Sequence, residues 1–139
     1  MPDLVRFGIS LEKELLEHFD KHIKKQNYLQ RSEAIRDLIR KELVKEEWAD
    51  GKKQVAGAIS LAYDHHKREL VNQLMNIQHD YHENIVSTQH VHLDHDNCLE
   101  VIVVKGKSNE VESLYKKLKT IRGIKHTTVS RATAGKTIS

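Results

Sequence analysis

His90 and His92 stand two residues apart, and Cys98, the only cysteine of the chain, follows six residues later. Apolar residues on either side (Ile85 and Val86, then Val101 to Val104) read as two strands joined by the polar turn Asp94–Asn97. Residues two apart on a strand share one face, about 6.5–7 Å apart along it. Two imidazoles can therefore lean onto one ion while the hairpin partner brings a thiolate beside them. That is a metal site in outline. Ile85, Val91 and Leu93 form the more apolar set of their strand and are expected to face a layer of helices. His90 and His92 then share the other face with Val86 and Thr88. On the next strand Cys98, Ile102 and Val104 alternate away from Leu99, Val101 and Val103. A face bearing Val86, Ile102 and Val104 is too apolar to stay wet, so it is expected to meet the same face of another subunit.

A fourth ligand has two candidates, His79 and His82, at the end of a helical pattern. His79 falls four residues after Met75 and is expected to border the buried stripe. His65 and His66 precede that helix and are less constrained, and His95 sits in the solvated hairpin turn. Imidazoles plus a thiolate suit Zn(II) in a tetrahedral site and Ni(II) or Cu(II) in a planar one, and spacing does not distinguish these geometries. The competing reading is a histidine-rich surface strand with an inert buried thiol. A Cys/His nucleophile pair is disfavoured: no third orienting group or glycine-rich oxyanion turn accompanies it, so no enzyme is expected.

The elements that must position these groups follow from periodicity. Val55–Tyr63, Ile85–Leu93, Cys98–Val104 and Ile124–Ser130 read as strands, and Lys67–His79 and Asn109–Ile121 as helices. The order βαββαβ is the ferredoxin-like pattern. Ahead of it, Leu4–Leu11 alternates at period two and predicts a strand burying Val5, Phe7, Ile9 and Leu11 on one side, with Arg6, Gly8 and Ser10 on the other. A helix follows with Leu11, Leu15, Phe19 and Ile23 on one stripe. After a break at 27–30, a second helix runs to about Trp48, with Ser32 as its expected N-cap. The predicted organisation is an α+β chain: residues 1–48, a linker at 49–54, a ferredoxin-like domain at 55–131 and a flexible tail at 132–139.

One strand and two helices in about 45 residues bury too little surface to fold alone, and a lone strand leaves backbone groups unpaired. Pairing two copies strand to strand removes both deficits, so an obligate dimer is expected. A two-stranded antiparallel ribbon fits the DNA major groove. Arg6, Gly8 and Ser10 would be its outward residues, with arginine able to bridge guanine O6 and N7. The start of the second helix offers amides to a phosphate. Net charge is only +3, so a nucleic-acid role rests on placement, not on bulk charge. No apolar run approaches the roughly 20 residues of a membrane span, and the N-terminal residues lack the basic flank and apolar core of a secretory signal, so none is expected. A single cysteine cannot form an internal disulfide, which suits a reducing, cytoplasmic compartment.

The chain resembles the nickel-responsive transcriptional regulators. Asn27-Tyr28 and Arg31-Ser32-Glu33-Ala34-Ile35-Arg36-Asp37 are similar to their ribbon-helix-helix domain. Tyr63 to Leu70, Gln78-His79, His90-Val91-His92 and Cys98-Leu99-Glu100 are similar to their ACT-like metal domain. The resemblance implies a homotetramer, a dimer of dimers, that binds one Ni(II) per subunit and a double-stranded DNA operator. Its planar site would take His90, His92 and Cys98 from one subunit and His79 from another, with Glu100 in the surrounding hydrogen-bond network. Arg6, Gly8 and Ser10 would contact bases, and Lys67 and Arg68 the DNA backbone. Glu33 and Asp37 match a second cation site. The expected role is a regulator, in the first instance a repressor of nickel uptake. The alternatives are a nickel-sequestering protein without an operator, or a ribbon-helix-helix repressor sensing Zn(II) or a small molecule.

Overall fold

The computed structural model describes residues 3–139, so the first two residues of the expected N-terminal domain lie outside it. The described residues form two compact units, one of those up to Leu43 with Thr137–Ser139 and the other of Val44–Lys136. The division falls inside a helix rather than in the polar stretch 49–54.

In the first unit, α1 spans Lys13–Lys25, and α2 starts at Arg31 and continues to Asp50. The break between them is a Schellman turn. Asn27 adopts φ 64°, the Tyr28 amide donates to the Ile23 carbonyl at 3.0 Å, and the Asn27 amide donates to Lys24 at 3.1 Å. Asparagine tolerates that left-handed position better than other side chains that carry a Cβ. Ser32 does not cap α2. Its hydroxyl reaches Gln30 Oε1 at 3.4 Å, while the Gln30 carbonyl accepts from the Ala34 amide, which makes Gln30 the flanking residue. Arg31 instead clasps Asp20 through two bonds of 2.9 Å, joining α2 to α1.

The strand expected over Leu4–Leu11 does not form within one chain. A strand is defined by its ladder, and a single copy has no second ribbon strand to offer. The apolar side chains of this segment lie open, Leu4 at 89%, Val5 at 84% and Phe7 at 72% exposure.

The second unit follows the expected order: β1 (Gln54–Asp64), α3 (Arg68–Asp80), β2 (Ile85–His92), β3 (Asn97–Lys107), α4 (Ser108–Lys119) and β4 (His126–Thr133). A short 3-10 turn, His82–Asn84, precedes β2. The strands lie in the order β2-β3-β1-β4, all antiparallel, as in the ferredoxin-like fold. β4 extends to Thr133, into the stretch expected to be a tail, and Thr133 donates to Glu47 at 2.9 Å. Val55, Ile59, Leu61 and Tyr63 of β1 and Cys98, Ile102 and Val104 of β3 share one face with Leu70 and Leu74 of α3 and Val111, Leu114 and Leu118 of α4. This is the buried core.

The last turns of α2 join that core. Trp48 is buried, and its indole nitrogen donates to the Ala132 carbonyl at 2.9 Å. Gly57 lets the indole approach. A β-carbon at this position would stand 2.6 Å from the Ser130 carbonyl oxygen and 3.3 Å from the ring. Gly57→Ala should therefore force a backbone shift and cost about 1–3 kcal/mol. The expected result is a lower melting temperature with red-shifted emission from the single tryptophan. An unchanged melt would show that the sheet yields freely at this point.

Candidate metal centre

The register across three strands builds the site. His92 pairs with Cys98, which pairs with Tyr63 on its other side; His90 pairs with Glu100, which pairs with Leu61. Paired residues in an antiparallel ladder project to the same face, so His90, His92, Cys98 and Glu100 share the helix-covered face with Ile102 and Val104. The expected arrangement was the reverse. A bulge explains the difference: Ile85 pairs with Val104 but Ser87 with Val103, so Val86 is an extra residue in β2. A bulge reverses strand parity beyond it. Ile85 and His90 thus fall on one face despite their odd spacing. Val91 turns to the other side, where it and Val103 are each 38% exposed beside Leu99 and Val101. The apolar face left open is therefore the one without the histidines.

Cys98 is fully buried. Glu100 is only 3% exposed and is the hub of a hydrogen-bond network. Tyr63 Oη donates to Glu100 Oε1 at 2.6 Å, His90 Nε2 lies 2.6 Å from the same oxygen, and Gln78 Nε2 of α3 donates to Oε2 at 2.6 Å. Burial, then the bonds to Glu100 and Cys98, push the Tyr63 hydroxyl far above its ordinary range, so it stays a donor. A carboxylate only accepts, so a neutral His90 donates through Nε2 and keeps its lone pair on Nδ1. The network thereby sets the tautomer of one candidate ligand and ties it to α3. Sequence reasoning missed Tyr63 and Gln78 as contributors. Both fall in the motifs that carry the family resemblance, Tyr63 to Leu70 and Gln78-His79, but the sequence assigns no role to either.

His79 lies in the last turn of α3 and is exposed, as is Met75 at 64%. Among the described residues, His79 does not border buried surface within the single chain. His82 folds back, its Nδ1 3.0 Å from the His79 carbonyl. Among the described residues, the ligating atoms of His79, His90, His92 and Cys98 do not gather into one cluster. Three of the four share a face, and the fourth points to solvent. The donor set itself fits a borderline divalent ion: a buried sulfur on rigid β3, with imidazoles from the adjoining strand.

The other expected residues are placed as follows. Arg6, Gly8 and Ser10 are exposed, and so are Lys67 and Arg68 at the start of α3. Glu33 is half-buried. The Asp37 carboxylate is already engaged, accepting from Tyr28 Oη at 2.6 Å and from Arg40 at 3.1 Å. Those contacts, Tyr28 first, hold it below the usual carboxylate range. No helix among the described residues is long and apolar enough to cross a membrane.

The chain thus carries an N-terminal helical unit and a ferredoxin-like unit with a candidate metal face. Residues 5–46 match the model of the ribbon-helix-helix proteins of the copG family, and residues 56–132 match that of the NikR C-terminal nickel-binding domain. A nickel-responsive regulator from Chlorobaculum tepidum is 60% identical over 134 residues, covering 96% of this chain and 99% of its own. The corresponding protein of Chlorobium limicola is 58% identical, covering 97% and 100%, and that of Syntrophus aciditrophicus is 54% identical, covering 97% and 98%. The chain belongs to the nickel-responsive regulator family, a family of transcription factors rather than enzymes. An uncharacterised protein from Thermotoga maritima shares the fold, with a TM-score of 0.52 at 14% identity over 57% of this chain and 98% of that one.

Proposed function

We propose that the chain is a Ni(II)-responsive repressor of nickel uptake, acting in the cytoplasm as a dimer of dimers, with one ion per subunit. The ligands would be His90, His92 and Cys98 of one subunit and His79 of another. The observation that carries this reading is the ladder pairing of His92 with Cys98 beside His90 with Glu100, which gathers one sulfur and two imidazoles on one face. Square-planar coordination favours Ni(II) or Cu(II) over Zn(II), which takes a tetrahedron. His79 is exposed at the end of α3 and so is available to a neighbouring copy. Drawing it into the site would fix α3, which Gln78 already tethers to Glu100. Nickel would thus order the helix whose N-cap and first residue, Lys67 and Arg68, are proposed to touch phosphates.

The first unit would supply the operator contacts. Pairing Leu4–Leu11 between two copies would bury Val5, Phe7 and Ile9 and turn Arg6, Gly8 and Ser10 outward into the major groove. Glu33 and Asp37 are proposed as a second cation site, which would require Asp37 to exchange its Tyr28 and Arg40 partners.

The test is a nickel titration of DNA affinity at fixed salt, on duplexes selected from a random pool with nickel-loaded protein. Coupling of about 1–3 kcal/mol predicts a gain of about 5–150-fold. Affinity independent of nickel would sink the regulatory reading and leave sequestration. In the same assay Arg6→Ala should cost about 1–3 kcal/mol of DNA binding, with nickel affinity unmoved. Equal DNA affinity in that variant would remove Arg6 from the readout.

A further inference from the structure

A second group of potential ligands lies outside the proposed nickel centre. The turn after β1 carries His65 and His66, and the tip of the β2–β3 hairpin carries His95 and Asp96. One ligating atom from each of His66, His95 and Asp96 falls within 4.8 Å of the other two. His66 Nε2 stands 3.6 Å from Asp96 Oδ1, and the rings of His66 and His95 are 5.2 Å apart. His65 adds a third imidazole, its ring 4.1 Å from that of His66.

The backbone brings the two turns together. The His65 amide donates to the Asp96 carbonyl at 3.1 Å. Asp64 and Asp94 are occupied within their own turns, Asp64 accepting from the His66 amide and Asp94 from the amides of Asp96 and Asn97. Asp96 is thus the carboxylate left facing the imidazoles. The Nε2 atoms of His65 and His66 both lie within hydrogen-bond distance of the His95 carbonyl, at 2.9 and 3.1 Å, which holds both rings over the hairpin tip.

We propose that His66, His95 and Asp96 form a second, solvent-facing site for a divalent transition-metal cation, one per chain and independent of Cys98. Ligands held about 2.0–2.2 Å from one ion lie roughly 3–4 Å apart. The three side chains are exposed, and binding an ion would draw their ligating atoms from within 4.8 Å of one another to that range. Two imidazoles and one carboxylate suit Zn(II), Ni(II) or Cu(II), and the remaining positions are left to water, which makes the ion exchangeable. An ion here would cross-link the β1–α3 turn to the hairpin that carries His92 and Cys98. His65 would carry the effect inward, since its ring already meets that of His92 edge-on at 4.9 Å.

The test is calorimetric titration of Zn(II) into the full-length Cys98→Ser protein, where the thiolate centre is disabled. A Zn(II) site should remain. Adding His66→Ala should weaken it by more than the about 10–100-fold expected from losing an outer partner of a metal site. The conservative Asp96→Asn and His95→Gln variants, checked for folding by circular dichroism, should weaken it in the same way. An isotherm unchanged by all three substitutions would overturn the proposal. The separate reading of Cys98 as a nickel ligand is judged by the thiolate absorption of the wild-type protein, so failure of one does not decide the other.

Discussion

Cys98→Ser should abolish the thiolate-to-nickel absorption band and lower Ni(II) affinity by well over the roughly 100-fold that loss of an outer partner can cost. The substitution is close in volume at a fully buried position, so the core should keep its shape. What changes is chemistry: a hydroxyl stays protonated at neutral pH, whereas the thiol can surrender its proton and become a soft anionic ligand. Chelator competition would read the affinity, near-ultraviolet absorption the band, and circular dichroism the fold. Wild-type affinity in a folded Cys98→Ser protein would remove the sulfur from the site. Loss of folding would instead be a packing result, because Cys98 lies between Tyr63 and His92 in the ladder.

Glu100→Ala should strike stability and metal binding together. One buried carboxylate accepts from Tyr63, His90 and Gln78. Its removal leaves the half-buried Gln78 amide without its acceptor and leaves the Tyr63 hydroxyl with His90 Nε2, 2.8 Å away, as its remaining side-chain partner. A buried polar group left unpaired costs about 1–3 kcal/mol, so a fall of about that size in the unfolding free energy of the metal-free protein is expected. His90, freed from Glu100, loses the contact that sets its tautomer and ring orientation. Nickel affinity should then drop by about 10–100-fold, while the thiolate band survives at saturating nickel because Cys98 is retained. Chemical denaturation and chelator competition on the same sample would check both. A variant with wild-type stability would mean that water replaces the carboxylate without loss. A variant with wild-type affinity would mean that Glu100 does not orient His90.

Much of this was legible in the chain. The alternation from Val55 to Tyr63 appears as β1, and the apolar stripes of α3 and α4 form the core over it. The Asn27 break is a local matter, set by one residue able to adopt positive φ. Strand alternation is a local property too, and it carried His90, His92 and Cys98 to a shared face whichever side of the sheet that face occupied.

Position relative to distant parts of the chain was not legible. The side of the sheet that carries the candidate ligands depends on the bulge at Val86, which flips parity without any glycine or proline to announce it. Periodicity alone therefore assigned Val91 inward and His90 outward, the reverse of the folded arrangement. Leu4–Leu11 shows the opposite limit: its pattern is plainly that of a strand, yet its backbone bonds require a second copy. The Glu100 network likewise joins β1, α3, β2 and β3, four segments whose meeting no spacing rule reveals.

By itself the sequence determined which elements form and which donor atoms they carry, because helix and strand patterns are written in residues a few positions apart. The tertiary structure decided which face those donors occupy and which partners hold them. Register and burial arise from packing between residues far apart in the chain, where a single inserted residue reverses the outcome.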